Sequence, residues 1–315
     1  MFLSLLLTSV LTFVQLNCEN LFDFRHDSMK QDIEFTPEGS RRWTERKYWD
    51  KLNNISKVII SCGTEERNWL VPDIVALCEV ENDSVVRDLA KRSPLRNIGY
   101  EYIVTNSPDV RGIDVALLYF PGSFAPVRHY PLRVKPVKGM RPTRDILYVS
   151  GRVITGDTVH LFVLHAPSRY SGKKRTEAHR MAVVERIGLA IDSLKQCVAD
   201  PKIIVSGDFN DYATDRPLQY LNSLGMLNVT KTAKGSNGAK ASYKYKGAWN
   251  SIDHVLFSTN IMSWFASCRV NDPTFLIEDD EKYGGVMPLR TYKAWKYRKG
   301  YSDHLPLVVT LLLGK

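Results

Sequence analysis

The chain has 315 residues, 44% hydrophobic and 24% charged, which excludes intrinsic disorder and fibrous repeats and allows a sizeable buried core. Its net charge of +9 suits an anionic partner such as a phosphate ester or nucleic acid, although a basic, solvated surface is the plainer account of charge alone. Five scattered cysteines with no CxxC pair argue against a disulfide framework or a zinc knuckle.

Residues 1–11 form an apolar N-terminal segment. Met1–Leu7 resembles the apolar part of a signal peptide but lacks a basic n-region and an Ala-x-Ala site. It is either the start of the first strand or a signal remnant, so cytoplasm and cell envelope stay equally open. β-Branched and aromatic content predicts a strand over Leu11–Cys18, with Asn17 and Glu19 at its end. Tyr48, Leu52, Ile55 and Ile59 recur at helical spacing. A strand over Asp73–Cys78 follows, ending at Glu79. Further strands are predicted over Tyr100–Thr105, Ile113–Tyr119, Ile146–Ile154 and Thr158–Leu164, the last running into His165. The basic run Lys173-Lys174-Arg175 precedes a helical pattern at Val183, Ile187, Ala190 and Leu194. A strand over Lys202–Ser206 ends in Gly207-Asp208-Phe209-Asn210, and a short helix follows Pro217. Strands are expected over Ser242–Tyr245, Ile252–Phe257 and Leu305–Leu313, with loops at 231–240 and 278–300. No later apolar run is long enough to span a bilayer. Strands interspersed with helices over the whole length predict two packed sheets with helices outside.

The polar residues that matter lie at the ends and entrances of these strands. Asp208 and Asn210 are two apart and face the same way in an extended segment, where they can hold a water, a phosphoryl oxygen or a hard cation. A strand–turn with an Asx cap explains a lone Gly-Asp-x-Asn equally well. Ser302-Asp303-His304 can supply a metal ligand and an imidazole aimed at phosphate, or a turn. Asp253 shares parity with Val255 and Phe257, so a carboxylate on that apolar face needs a partner; orienting a histidine and a structural salt bridge are the two candidates. His165 is a candidate acid or phosphate donor. Asn17, Glu19 and Glu79 supply an amide and two carboxylates, a set that suits Mg²⁺. Strand ends in layered folds form one rim where sites assemble.

Taken in order, these motifs resemble those of the endonuclease/exonuclease/phosphatase superfamily, over nearly the whole chain from Asn17 to His304. The resemblance implies an α+β four-layer sandwich, two mixed β-sheets face to face with helices outside, as a single domain over residues 12–314. It implies that Asn17 and Glu79 bind a catalytic Mg²⁺ (Mn²⁺ as a substitute), with Glu19 and Asp303 in the metal shell. Asp208 and Asn210 would position the attacking water and phosphate, His304 would contact the scissile phosphate, Asp253 would orient His304, and His165 would match a histidine of the deoxyribonuclease and phosphatase branches. Cys78 stands before Glu79 where Gln is common.

The expected activity is divalent-metal-dependent hydrolysis of phosphate esters by in-line water attack, as a phosphodiesterase, phosphatase or endonuclease, in a monomer with no obligate protein partner. The rival from another class is a non-catalytic phosphate- or nucleic-acid-binding module on the same fold. A Ser-His-Asp hydrolase is disfavoured because no Gly-x-Ser-x-Gly elbow is present. The aromatic-basic segment Tyr292–Lys299 reads either as a surface that stacks on bases or as a loop anchored by its aromatics.

Overall fold

The computed structural model describes residues 9–63, 70–170 and 172–314; the apolar stretch Met1–Leu7 lies outside them. In chain order the strands are β1 (Ser9–Leu21), β2 (Ile74–Val80), β3 (Glu101–Val104), β4 (Asp114–Tyr119), β5 (Phe124–Leu132), β6 (Ile146–Val153), β7 (Thr158–His165), β8 (Lys202–Asp208) and β9 (Met226–Asn228). They continue with β10 (Tyr243–Tyr245), β11 (Ala248–Asn250), β12 (Asp253–Ser258), β13 (Phe265–Val270), β14 (Ile277–Asp279), β15 (Val286–Pro288), β16 (Tyr292–Lys293), β17 (Lys296–Tyr297) and β18 (Leu307–Leu313). The α-helices are α1 (Glu45–Ser61), α2 (Asp83–Lys91), α3 (Glu177–Cys197) and α4 (Arg216–Ser223).

Two six-stranded sheets carry the architecture, in the orders β13-β18-β1-β2-β4-β3 and β5-β6-β7-β8-β12-β9. Each is mixed: β1–β2 and β7–β8 are parallel, and their other neighbours are antiparallel. The period-2 alternation of the strands divides the core. On β1, Leu11 and Phe13 pack with Leu147, Leu161, Ile204 and Val255 between the sheets. Val14 and Leu16 turn the other way, onto Leu52, Ile55 and Ile59 of α1 and Val86 and Leu89 of α2. The outer face of the second sheet, Phe162, Leu164, Ile203 and Val205, packs on Val183 and Ile187 of α3 and Leu218 and Leu221 of α4. The layers are therefore helix, sheet, sheet, helix, the α+β sandwich expected from the sequence.

Sequence patterns missed several elements. β5 contains Pro126 and Pro131 and is mostly exposed, a profile an edge strand tolerates but a pattern search rejects. α2 is only nine residues long; the Asn82 side chain caps it by accepting the Val85 N–H at 3.0 Å. β13 is a second edge strand, buried at Val270 and otherwise half-buried or exposed. The stretch 278–300, expected as loop, holds two short hairpins, β14–β15 and β16–β17. Tyr292 and Tyr297 there pack on Trp43, while Arg41 and Lys47 lie over their rings, so these aromatics anchor the segment. Trp295 and Tyr283 are exposed, Trp295 at 72%.

Gly207 shows why glycine opens the Gly-Asp-x-Asn motif. It pairs with Leu164 across the parallel β7–β8 ladder, and a Cβ there would sit 1.9 Å from the Leu164 carbonyl oxygen. Gly207→Ala is expected to force the two strand ends apart and destabilise the protein by roughly 1–3 kcal/mol, read as a lower urea midpoint. An unchanged midpoint would show that the strands yield without cost.

Candidate active site

The ends of β1, β2, β7 and β8 and the entrances of β12 and β18 converge on one rim, which gathers the candidate side chains from distant parts of the chain. Strained backbone is part of this rim. Glu19, Asn20, Glu79 and Asn210 have φ of 51°, 53°, 60° and 51°, the left-handed region that non-glycine residues enter at a cost of about 1 kcal/mol or more. The β1–β2 register shifts between Asn17 and Leu21, and β2–β4 shifts between Cys78 and Val80. These irregularities turn side chains that would otherwise follow the pleat.

Asn17 is the hub. Its Nδ2 donates to Asp208 Oδ2 at 3.0 Å and Glu79 Oε1 at 3.3 Å, and its Oδ1 accepts the Glu19 N–H at 2.9 Å. The second Glu79 oxygen accepts the Asn20 N–H at 2.8 Å. Asp208 Oδ1 accepts the Asn210 N–H at 2.8 Å, and one Asn210 amide N–H goes to the Ala166 carbonyl at 3.1 Å. Asp208 and Asp253 are direct cross-strand partners. Asp253 Oδ2 accepts from His304 Nδ1 at 2.7 Å and from the Ser242 hydroxyl at 2.7 Å. The imidazole is thereby turned so that Nε2 faces Asp208 and Asp303, each at 4.0 Å. Tyr243 packs against its ring at 4.8 Å. Ser302 fixes the approach: its hydroxyl donates to the Asn17 carbonyl at 2.7 Å and accepts the His304 N–H at 3.1 Å.

His165 Nε2 stands 3.6 Å from Asp208 Oδ2 and 3.7 Å from Glu79 Oε1, beyond hydrogen-bond range. Its strand end is braced by Arg144, whose guanidinium donates to the His165 and Ala166 carbonyls and pairs with Asp109 at 3.0 Å. The last candidates lie on a neighbouring wall. Asp303 faces Arg290 at 3.3 Å. Glu19 accepts the Thr291 N–H at 2.7 Å and lies 3.6 Å from Lys51 Nζ. Seven of the nine residues singled out from the sequence thus share one contact network, Asn17, Glu79, His165, Asp208, Asn210, Asp253 and His304, and Glu19 and Asp303 flank it. Ser242, Tyr243, Arg144, Arg290 and Lys51 were not singled out. Lys51 had a readable signal: it falls three residues after Tyr48 and one before Leu52, on the buried face of α1.

The electrostatics separate the two histidines. Burial alone would lower the pKa of His304, but the Asp253 carboxylate, helped by Asp303 and Asp208, holds it well above the usual value, so the ring is an imidazolium. Burial, with Arg144 and Arg111 nearby, holds His165 well below, so that ring is neutral. Burial and the neighbouring Asp253 carboxylate push Asp208 up to about 7, against the pull of His304. Burial and Asp303 raise Glu19, against Lys51.

A divalent cation fits this donor set. Glu79, Asp208, Asp253 and Asp303 bring four carboxylates to the rim, His165 is neutral, and the nearby cations His304, Arg290 and Lys51 offset them in part. Glu79 is a hard oxygen donor with a partly exposed side chain, as Mg²⁺ prefers; the Asn17 amide oxygen, which accepts the Glu19 N–H while Nδ2 faces Glu79, would join it with the amide turned over. Asp208, Asp253 and His304 also offer ligand atoms within 4.8 Å of one another and could hold a metal. Doing so through Asp253 Oδ2 or His304 Nδ1 would break the 2.7 Å bond that orients the imidazole, which favours the Asn17–Glu79 side.

Beneath the site, His254 titrates with a measurable consequence. Its Nε2–H donates to the Asp211 carbonyl at 2.9 Å, and Nδ1 accepts from the Asn228 amide at 3.0 Å. Burial lowers its pKa from 6.5 to about 4, against the pull of the Asp211 carbonyl and the Asp253 carboxylate. The native state therefore binds fewer protons than the unfolded chain between these values. The stability from this group is complete above pH 6.5 and is lost as pH falls to about 4, a change of about 3 kcal/mol. Urea midpoints from pH 7 to 4 should fall, and less steeply in His254→Gln; identical slopes would refute the assignment.

A profile of the Endonuclease/Exonuclease/phosphatase family matches residues 12–312. No curated protein matches the chain. Among solved structures, an endonuclease/exonuclease/phosphatase family protein from Bacteroides thetaiotaomicron superposes with a TM-score of 0.63 at 17% identity, covering 97% of this chain and 98% of that one. A mannosyl-6-phosphatase of Bacteroides thetaiotaomicron gives 0.62 at 19% identity, over 96% and 99%. The human nocturnin catalytic domain with bound sulfate anion gives 0.57 at 16%, over 96% and 97%. At these identities the likeness concerns the fold.

Proposed function

The chain belongs to the endonuclease/exonuclease/phosphatase family, and from that premise we propose that it is a divalent-metal-dependent phosphoesterase in which water attacks phosphorus directly. The observation that carries this reading is the Asp253–His304 pair at 2.7 Å, set beside Asp208 and the Asn17–Glu79 pair. An imidazolium held by a buried carboxylate is a donor for a phosphoryl oxygen. Asp208, tied at both oxygens by Asn17 and Asn210, is the group left to orient the water and accept its proton. Neutral His165 and the free amide N–H of Asn210 add donors where charge develops. Asn17 and Glu79 would hold the Mg²⁺ or Mn²⁺, with Asp303 and Glu19 next to it. Bound there, the cation would supply Lewis acidity toward the phosphoryl group. Neither Ser302 nor Cys78 is placed as a nucleophile: Ser302 is committed to Asn17 and His304, and Cys78 is fully buried with its thiol pushed well up by burial.

The test is turnover of an aryl phosphomonoester and an aryl phosphodiester by purified protein with Mg²⁺. Hydrolysis of either supports the proposal. Tight phosphate binding with no turnover of any ester would favour the non-catalytic module instead. If duplex DNA is a substrate, its affinity should fall steeply with salt.

A further inference from the structure

A cavity of about 270 Å³ opens beside the rim, with Glu19, Asn20, Arg41, Trp43, Arg290 and Tyr292 in its walls. It shares a wall with the catalytic group. The Glu19 N–H donates to Asn17, and Arg290 reaches Asp303, which precedes His304. Small-molecule sites commonly run from about 300 to 1,000 Å³, so this one has room for a single ring and none for a polymer.

Its charges are compensated. Arg41 lies 3.8 Å from Glu34, Arg290 lies 3.3 Å from Asp303, and Lys51 lies 3.6 Å from Glu19. A pocket for a second anion would present uncompensated cations, and a nucleic-acid track would extend them along a surface. Here donors and acceptors alternate instead, in the Arg41 and Arg290 forks and in the Glu19 carboxylate and Asn20 amide. Hydroxyls, which both donate and accept, match such walls. The Arg41 fork is also preorganised: it sits 4.8 Å from the Tyr292 ring and 4.9 Å from the Trp295 ring, and Nη1 donates to the Ala294 carbonyl at 2.9 Å. Phe35, Trp43 and Tyr292 in the same walls add apolar surface for C–H groups.

We propose that this cavity receives the alcohol half of the substrate and that this alcohol is a small polyhydroxylated ring, so that the ester hydrolysed is a sugar phosphate; the inference rests on the phosphoesterase reading above. The ring adds two or more hydrogen bonds and an apolar contact, worth roughly 30-fold in binding.

The experiment compares kcat/KM of the Mg²⁺-supplemented protein for glucose 1-phosphate, glucose 6-phosphate, ethyl phosphate and an aryl phosphodiester. At least one sugar phosphate should exceed ethyl phosphate, which carries the same ester without the ring, by about 30-fold or more. Arg41→Met should remove at least tenfold of that advantage, mainly through KM. It should weaken the preferred sugar phosphate's binding to catalytically disabled Asp208→Asn protein, measured by calorimetry, to a similar degree. Turnover of ethyl or aryl esters without a sugar preference overturns this inference and leaves the phosphoesterase reading standing. Turnover of no ester overturns both. A sugar preference that survives intact in Arg41→Met also overturns the cavity assignment, and if that variant does not fold, the wild-type ratio decides alone.

Discussion

Asp208→Asn is expected to lower kcat on any hydrolysed phosphate ester by about 10³-fold, while its urea midpoint stays at or above that of the wild type. Asp208 is buried beside Asp253, its direct cross-strand partner, and this proximity makes its charge costly. Removing the charge relieves that cost, whereas the amide keeps nearly the same shape. What is lost is the proton acceptor opposite His304 and a carboxylate matched to the Asn17 amide donor. Single-turnover rates should fall by the same factor as kcat, because the lost step is chemical. Near-normal turnover would move the base away from Asp208.

The second large effect concerns stability. Arg180 on α3 is fully buried and pairs with Asp211, also fully buried, at 2.6 Å. Its other nitrogens donate to the Thr176 hydroxyl at 2.6 Å and the Lys173 carbonyl at 2.9 Å. Removing one member of a buried pair strands the other, at a cost of about 3–5 kcal/mol. Burial already pushes Asp211 up to about 6 despite Arg180, so without the arginine it would take up a proton more readily. Arg180→Met should therefore lower the urea-derived stability by several kcal/mol. Arg180→Met/Asp211→Leu, which leaves no charge stranded, should recover part of the loss. Asp211 follows Asn210 and its carbonyl holds His254, so the single variant should also loosen the catalytic loop. A loss below about 1 kcal/mol would mean that Arg169, 3.7 Å from Asp211, compensates alone.

The four-layer fold and most of the candidate site were legible in the sequence for one physical reason. Buried strands alternate with period 2, and a polar residue where such a run stops must sit on a rim. Asn17, Glu79, His165 and Asp208 announce themselves this way, and Asp253 does so by breaking an apolar face. The partners of these groups were not legible. Ser242, Tyr243 and Arg290 come from short strands and turns with no periodicity, and their meaning appears only when β10 and the segment after β15 fold over β18. Edge strands escaped too: β5 tolerates two prolines because its outer side pairs with no strand among the described residues. The positive φ of Glu79 and Asn210 was equally hidden, since neither is a residue type that pattern reading assigns to strained backbone with certainty.

The proposal stands most directly on turnover of an aryl phosphate ester by chelator-stripped protein before and after Mg²⁺ is returned. The stripped protein should show negligible hydrolysis, recover fully with Mg²⁺ or Mn²⁺, and show no comparable recovery in Glu79→Gln. Hydrolysis that survives stripping, or that recovers equally in Glu79→Gln, would contradict it.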